Sequence, residues 1–185
     1  MIRILVPLLA ILVPSLALSA DNDLESVKRY DRAIMIVLPE ANGSAVPLVT
    51  KPEDCGDTQW LTRDGRRMAE GIGDALRDAG FGDASVYSSQ SCAAIETANA
   101  LKLQNKGALS LLNDIADSKV SRKQQRQALA LFLADHLGKR TLVFISHRNN
   151  VIDISGSYPS FGDAIALTVN VTRFEPVFLR HIQIK

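Results

Sequence analysis

The 185-residue sequence lacks an excess of charge of either sign and contains few aromatic residues. It has 21 Lys and Arg against 20 Asp and Glu, a formal net charge of +1, and 5% Phe, Trp and Tyr. This balance gives no basic footprint for nucleic acid, and 46% hydrophobic residues exclude a disordered chain. The length allows one domain with a sizeable core and disfavours two. We therefore expect a globular protein that does not bind nucleic acid.

A hydrophobic run of transmembrane length is also missing. The longest apolar stretch, Ile4–Leu18, follows Arg3, contains two prolines and ends in small residues. It is shorter than the ~20 apolar residues that cross a bilayer, so a membrane anchor is the weaker alternative. The pattern is typical of a signal peptide over residues 1–20. It predicts a periplasmic or secreted protein whose residues 21–185 form a single domain without a membrane span.

Cysteine is nearly absent as well, because Cys55 and Cys92 are the only two. In an oxidising compartment they most simply form one disulfide. Closing a loop of this length stabilises a fold by about 4 kcal/mol in the chain-entropy model. Neither cysteine has a histidine nearby in sequence, and no spacing suggests zinc. We expect no metal and no cofactor.

Apolar periodicity predicts strands that alternate with helices. Two continuous apolar runs, at 33–38 and 141–146, favour buried strands of a parallel sheet. The sequence predicts a long loop at residues 41–60, because glycine and proline recur there and the apolar residues lack helical spacing. The remaining pattern predicts helices at 63–79, about 91–104 and 122–137, and strands at 84–87, 164–171 and 177–184. The fold class that follows is α/β, a three-layer α/β/α sandwich with a largely parallel sheet.

Two glycines interrupt the first predicted helix. Gly71 and Gly73 weaken a helix, so we expect that both allow close packing against a neighbouring element. They do not form a phosphate-binding loop, because no strand precedes them directly.

Three segments, in order along the chain, resemble one known family. They are Leu61–Ala69, Val86–Ser89 with Glu96–Ala98 after it, and Phe144–Asn149. These are similar to the Leu-Thr-x-x-Gly-x-x-x-Ala helix start, the Ser-Ser to Thr-Ala segment and the Ser-His-Gly strand end of the histidine phosphatase superfamily, also called phosphoglycerate mutase-like. The placement of Cys55 and Cys92 is similar to that in a small exported branch. The resemblance implies the phosphoglycerate mutase-like sandwich.

The resemblance also implies a phosphate pocket of two histidines and two arginines. An Arg-His pair ending the first strand supplies the nucleophile, which becomes phosphohistidine. A second arginine after the Ser-Ser segment clamps the phosphate oxygens, and a second histidine ends a later strand. Fixed cationic donors stabilise the charge that spreads over the phosphoryl oxygens.

This sequence departs from that pattern at three of the four positions. Leu38 and Pro39 stand where the Arg-His pair is expected, and Ala93 stands where the second arginine is expected. No histidine lies near the first strand, and no arginine is close enough to either position for a shifted alignment to supply it. Only the second histidine, His147, remains.

Five residues are candidates for the site, each with a structural alternative. His147 lines the pocket or only hydrogen bonds at a strand end. Arg148 restores a positive charge to the pocket mouth or is solvated, and Asp163 faces the cleft or belongs to a turn. Ser89 offers a hydroxyl donor there, although serines more often cap helices. Glu40, just past the first strand, would disfavour phosphate if it reached the pocket.

The sequence therefore favours a catalytically inactive member of the fold with a binding or structural role. Its expected partner is a small anionic or phosphorylated ligand, or a protein. The alternative is an active phosphomonoester hydrolase with a rearranged site around His147 and an acid such as Asp163 or Glu40. An unrelated α/β domain is the third possibility.

Overall fold

A computed structural model describes residues 24, 27, 28, 31–43 and 47–184. The predicted signal peptide, residues 1–20, lies outside this part of the chain. Within it, no helix is long and apolar enough to cross a membrane. The strands are β1 (Ala33–Val37), β2 (Ser85–Ser88), β3 (Gln104–Ala108), β4 (Leu142–Ser146), β5 (Ala164–Asn170) and β6 (Glu175–Ile182). The α-helices are α1 (Arg63–Asp78), α2 (Cys92–Ala100), α3 (Arg122–His136) and α4 (Arg148–Ser155).

The strands form one mixed sheet in the order β3-β2-β4-β1-β5-β6. The first four are mutually parallel, whereas β5 and β6 pair antiparallel. All five residues of β1 and of β4 are buried, as expected for continuous apolar runs that are covered on both faces. The parallel part of the sheet thus matches the sequence prediction, and the final strand pair makes the sheet mixed.

Helices cover both faces of the sheet. Alternate residues of β1 point to opposite sides: Ile34 and Ile36 join a core with residues of α1 and α2, and Met35 and Val37 join a core with residues of α3 and α4. The fold class is therefore the predicted three-layer α/β/α sandwich.

Helix α1 begins where the sequence predicts. The Thr62 hydroxyl caps it by accepting a hydrogen bond from the Gly65 N–H at 2.9 Å. Within the helix, a Cβ at Gly73 would lie 2.4 Å from the Leu101 carbonyl oxygen, so close packing requires glycine there. The same expectation is wrong for Gly71, where a Cβ would meet nothing within 4 Å.

Three boundaries and elements differ from the prediction. Helix α2 ends at Ala100 instead of about 104, since Lys102 adopts a left-handed conformation with φ 53°. Strand β3 follows, although its side chains are exposed or half-exposed, because backbone pairing with β2 stabilises it. Helix α4, which the sequence did not predict, begins directly after His147 and buries Asn150 and Val151.

The loop that follows β1 is tied to α2. A disulfide joins Cys55 to Cys92, the first residue of α2, with their Cα atoms 5.5 Å apart. The predicted pairing is therefore confirmed. In its described part, this loop contains one turn of 3₁₀ helix at Pro52–Cys55.

Glu96, on α2, organises the segment that leads into α1. Its carboxylate accepts hydrogen bonds from the N–H groups of Trp60 at 2.7 Å and Leu61 at 3.1 Å. It also forms an ion pair with Arg66. Two of the segments that carry the family resemblance are thus joined by structural hydrogen bonds.

Candidate functional site

A cleft of about 410 Å³ opens at the carboxyl ends of the parallel strands. In doubly wound α/β sheets this edge is where ligands bind. The described residues that line it are Leu38, Pro39, Glu40, Ala41, Gly43, Leu48, Ser91, Asp114, Asp117, His147 and Phe161. These lining residues include three carboxylates and one imidazole, but neither lysine nor arginine.

Apart from Glu40, the half of the cleft at the end of β1 is apolar. Pro39 is buried and Leu38 is half-buried, packed against core residues on its side of the sheet. The backbone N–H of Leu38 donates to the Ser146 carbonyl at 2.8 Å, so this segment continues alongside β4. Ala93, which stands where the resemblance implies the second arginine, is fully buried with Leu61 and Ala69. None of these three side chains offers a nucleophile or a cation.

The half of the cleft at the end of β4 is polar and centres on His147. Its Nε2 lies 2.9 Å from the Ser89 hydroxyl, and its Nδ1 lies 3.9 Å from an Asp114 carboxylate oxygen. Burial lowers the pKa of His147 below its ordinary 6.5, while the negative charges of Asp114 and Asp117 partly oppose that shift. The imidazole is therefore neutral at pH 7.

A buried hydrogen-bond network fixes the segment that carries Asp114. The Asn150 amide donates to the Ser146 hydroxyl and to the Asn113 carbonyl, both at 2.8 Å, and accepts from the Ile115 N–H at 2.9 Å. The Asp114 carboxylate accepts from the Asn149 amide at 3.0 Å. Helix α4 thereby holds the Asp114 loop beside the end of β4.

The structure brings some of the predicted site residues together and separates others. Glu40 and His147 both line the cleft. Ser89 is fully buried behind His147. The Arg148 guanidinium carbon lies 4.4 Å from the centre of the Phe161 ring, a cation–π contact at the rim. Asp163 is not a lining residue, because its carboxylate accepts a hydrogen bond from the Ser160 N–H at 2.8 Å, which corresponds to the turn alternative.

The sequence did not predict four lining residues that have polar or aromatic side chains: Ser91, Asp114, Asp117 and Phe161. Asp114 and Asp117 lie in a segment whose only sequence signal is polarity, 30 residues or more before His147. Ser91 is 2% exposed, and its hydroxyl has no hydrogen-bond partner among the described residues. No local pattern distinguishes a cleft residue from a solvated one at these positions.

The carboxylates do not converge on one point. In the described part of the chain, no group of three His, Cys, Asp or Glu residues could hold a metal ion. The cleft thus presents separate hydrogen-bond acceptors instead of a coordination shell.

Comparison with known proteins shows a shared fold but no closer relationship. No protein-family profile matches the chain, and no curated protein matches it. Among solved structures, it is similar to the protein histidine phosphatase SixA complexed with tungstate, at 14% identity over 82% of this chain and 96% of that one, with a TM-score of 0.58.

Two further solved structures show the same likeness. One is a mutant phosphoserine phosphatase from Entamoeba histolytica in complex with phosphoserine, at 14% identity over 83% of this chain and 98% of that one, with a TM-score of 0.58. The other is described as a putative α-ribazole-5′-P phosphatase from Escherichia coli, at 14% identity over 82% of this chain and 96% of that one, with a TM-score of 0.57. The α/β/α sandwich of this chain is therefore the histidine phosphatase fold, as the sequence resemblance implied.

Proposed function

We propose that this chain is an exported protein of the histidine phosphatase fold that does not catalyse phosphoryl transfer and uses its cleft for binding. One observation carries the proposal. At the end of β1, where the fold's nucleophile is expected, Leu38 and Pro39 line the cleft. Neither has an imidazole nitrogen to attack phosphorus or a guanidinium to stabilise the negative charge on the phosphoryl oxygens.

The electrostatics of the cleft support the same proposal. Phosphoryl transfer requires fixed cationic donors around the phosphate oxygens. Here Glu40, Asp114 and Asp117 line the cleft instead. Carboxylates repel the negative charge of a phosphate group. A phosphate monoester in this cleft is therefore disfavoured both when it binds and when it reacts.

A rearranged hydrolase is the second candidate, because Ser89 and His147 contact each other as a nucleophile and its base would. The Ser89 hydroxyl is 2.9 Å from His147 Nε2. However, Ser89 is 0% exposed and does not line the cleft, because it lies behind His147, so a substrate in the cleft does not reach its oxygen. The 3.9 Å between His147 Nδ1 and Asp114 is also too long for an orienting hydrogen bond. These distances favour binding over catalysis.

The enzymatic test uses purified residues 21–185 and p-nitrophenyl phosphate, with His147→Ala as the matched variant. We expect no turnover above the buffer background in either protein. Turnover by the unmodified chain that disappears in His147→Ala would overturn the proposal.

Export is tested separately by expressing the full chain in a bacterial host and fractionating the cells. We expect a periplasmic protein whose intact mass corresponds to a start at Ala20 or Asp21. A cytoplasmic chain that retains residues 1–20 would contradict export and leave the binding proposal to the enzymatic test.

A further inference from the structure

Acidic side chains reach the cleft from two sides. Glu40 follows β1, whereas Asp114 and Asp117 lie in the connection between β3 and α3. The Asp117 carboxylate makes no hydrogen bond or ion pair within the described residues, and that of Glu40 contacts the Thr62 hydroxyl at 3.3 Å. The Arg148 guanidinium at the rim offsets part of this charge. The surface nevertheless carries more negative than positive charge, and the neutral His147 does not change that balance.

One residue that lines the same cleft carries an unpartnered buried hydroxyl. Ser91 lines it, is 2% exposed and precedes α2, yet its hydroxyl neither caps the helix nor bonds to any other described residue. Buried polar atoms in native structures nearly always have partners, because an unpaired one loses its hydration without compensation. A ligand that carries N–H donors would satisfy this oxygen, and the carboxylates that line the cleft favour such a donor over an anion.

The remaining lining is apolar. Leu38, Leu48 and Phe161 contribute alkyl and aromatic surface beside the carboxylates. Phe161 is 44% exposed and Leu48 is 52% exposed, so both are available for contact. The cleft therefore combines acceptors for a charged donor group with surface for a hydrocarbon segment.

A metal ion does not suit this arrangement. Hard divalent cations require several oxygen ligands within about 2.0–2.6 Å of one point. The described carboxylates and imidazole do not converge in that way. An ammonium or guanidinium group is held by one or two carboxylates at hydrogen-bond distance, so it does not need a full shell of ligands around one point.

We propose that the cleft binds an organic cation, an ammonium or guanidinium group attached to a short apolar segment. Its N–H groups pair with the Asp117 and Glu40 carboxylates and the Ser91 hydroxyl, and its hydrocarbon part packs on Leu38 and Phe161. This rests on the proposed function, because a phosphatase would need the same cleft to hold an anion. Two sources share this chemistry, a free amine and a Lys or Arg side chain of another protein.

The first experiment titrates residues 21–185 with n-butylammonium, N-acetyl-arginine amide, n-butanol and inorganic phosphate, followed by backbone-amide NMR. We expect saturable shifts at Ser91 and Asp117 with one or both cations, at least 10-fold weaker binding of n-butanol, and no binding of phosphate. N-acetyl-lysine amide is titrated alongside: tighter binding of this or of the arginine derivative than of n-butylammonium indicates a protein side chain, and tighter binding of n-butylammonium indicates a free amine. Equal affinity for n-butanol and n-butylammonium, or saturable phosphate binding, would overturn the proposal.

The second experiment compares Asp117→Asn and Glu40→Gln with Asp135→Asn, an exposed carboxylate at the far end of α3 that removes the same charge elsewhere. Each cleft variant should weaken cation binding about threefold, a typical size for an exposed ion pair, and the double variant about tenfold. Asp135→Asn should leave binding unchanged. Equal effects of all three variants would show that only the overall charge acts and would refute a specific site.

Ser91→Ala separates binding from folding. It should weaken cation binding while thermal stability stays equal or rises, because the unpaired hydroxyl is removed. Unchanged binding in Ser91→Ala would show that this hydroxyl does not contact the cation.

The proposed function and the cation site are contradicted by different results. His147-dependent turnover of p-nitrophenyl phosphate would reject both, whereas absent turnover together with absent cation binding would reject only the cation site.

Discussion

The ends of β1 and β4 lie side by side in the sheet, yet they differ in chemistry. The strands are parallel neighbours with Val37 opposite Ser146, and both are fully buried. Beyond this pair, β1 continues into Leu38 and Pro39, whereas β4 continues into His147 and the polar start of α4. The strands themselves need only apolar side chains, so the chemistry at one strand end varies without disturbing the sheet.

The two ends are also stabilised by different interactions. The loop after β1 is cross-linked through Cys55, and the Glu40 carbonyl packs closely against Gly65 on α1. The end of β4 is held by the buried hydrogen bonds of Asn150. We therefore expect perturbations of one end to leave the other end largely unchanged, and the following predictions test that independence.

The largest effect is expected from removing the disulfide. Cys55→Ser with Cys92→Ser should lower the free energy of unfolding by about 4 kcal/mol in the chain-entropy model, a fall in Tm of about 10 °C. Thermal melts measure the loss, and reducing the wild-type protein should reproduce it. Native-state hydrogen exchange should rise in residues 47–60 but not at 147–150. Equal deprotection of both segments would contradict the independence of the two ends.

The next largest effect is expected from Asn150→Ala. This change leaves the Ile115 N–H without its partner and removes the buried hydrogen bond to the Ser146 hydroxyl, while the Asn113 carbonyl keeps only its Gln125 donor, at a cost of about 3 kcal/mol. Chemical denaturation measures it. Asn149→Ala is the matched control, because Asn149 is exposed and contacts only the Asp114 side chain in the described structure, so it should cost less than about 1 kcal/mol. Similar losses in both variants would refute the role of the buried network.

A smaller loss is expected from Gly65→Ala at the β1 end. The new Cβ would lie 2.2 Å from the Glu40 carbonyl oxygen, so the backbone has to shift, at a cost of about 2 kcal/mol. Gly71→Ala, in the same helix, meets nothing within 4 Å and should instead stabilise the protein by about 0.5–1 kcal/mol. Denaturation curves that move in the same direction for both variants would contradict this packing.

The smallest effect is the pH dependence that arises from His147. Its folded pKa lies below the ordinary 6.5, so the unfolded chain binds this proton first as the pH falls. The contribution of His147 to the free energy of unfolding should therefore be constant above about pH 7. It should decrease as the pH drops through 6.5 and level off below the folded pKa. Denaturation at pH 8 and pH 5 measures the difference, which should be smaller in His147→Gln. An equal difference in both proteins would show that other groups dominate.

Local sequence signals predicted much of this fold. The apolar runs placed β1 and β4 within one residue, and the helix predicted at 63–79 matches α1 within one residue. The exposed strand β3 and the short helix α4 were not predicted. Backbone pairing stabilises the first, and the second depends on burying Asn150 and Val151 against the rest of the protein.

The candidate site was only half predictable. His147 and Glu40 follow apolar strands, so their positions at the open edge of the sheet could be expected from their place in the chain. Asp163 and Arg148 are also close in sequence to that edge, yet a turn and the Phe161 ring engage them instead. Side-chain direction within a loop depends on its hydrogen bonds, which the sequence pattern does not contain.

The sequence by itself determined the alternation of strands and helices, the disulfide partners and the absence of an Arg-His pair after the first strand. These depend on periodicity and residue identity, which are local properties. Only the tertiary structure decided that Asp114 and Asp117 stand beside His147 and that the Ser91 hydroxyl is left unpaired at the cleft. Both facts follow from the way α4 and α2 pack on the sheet, bringing together residues far apart in the chain, and that packing gives the cleft its acidic character.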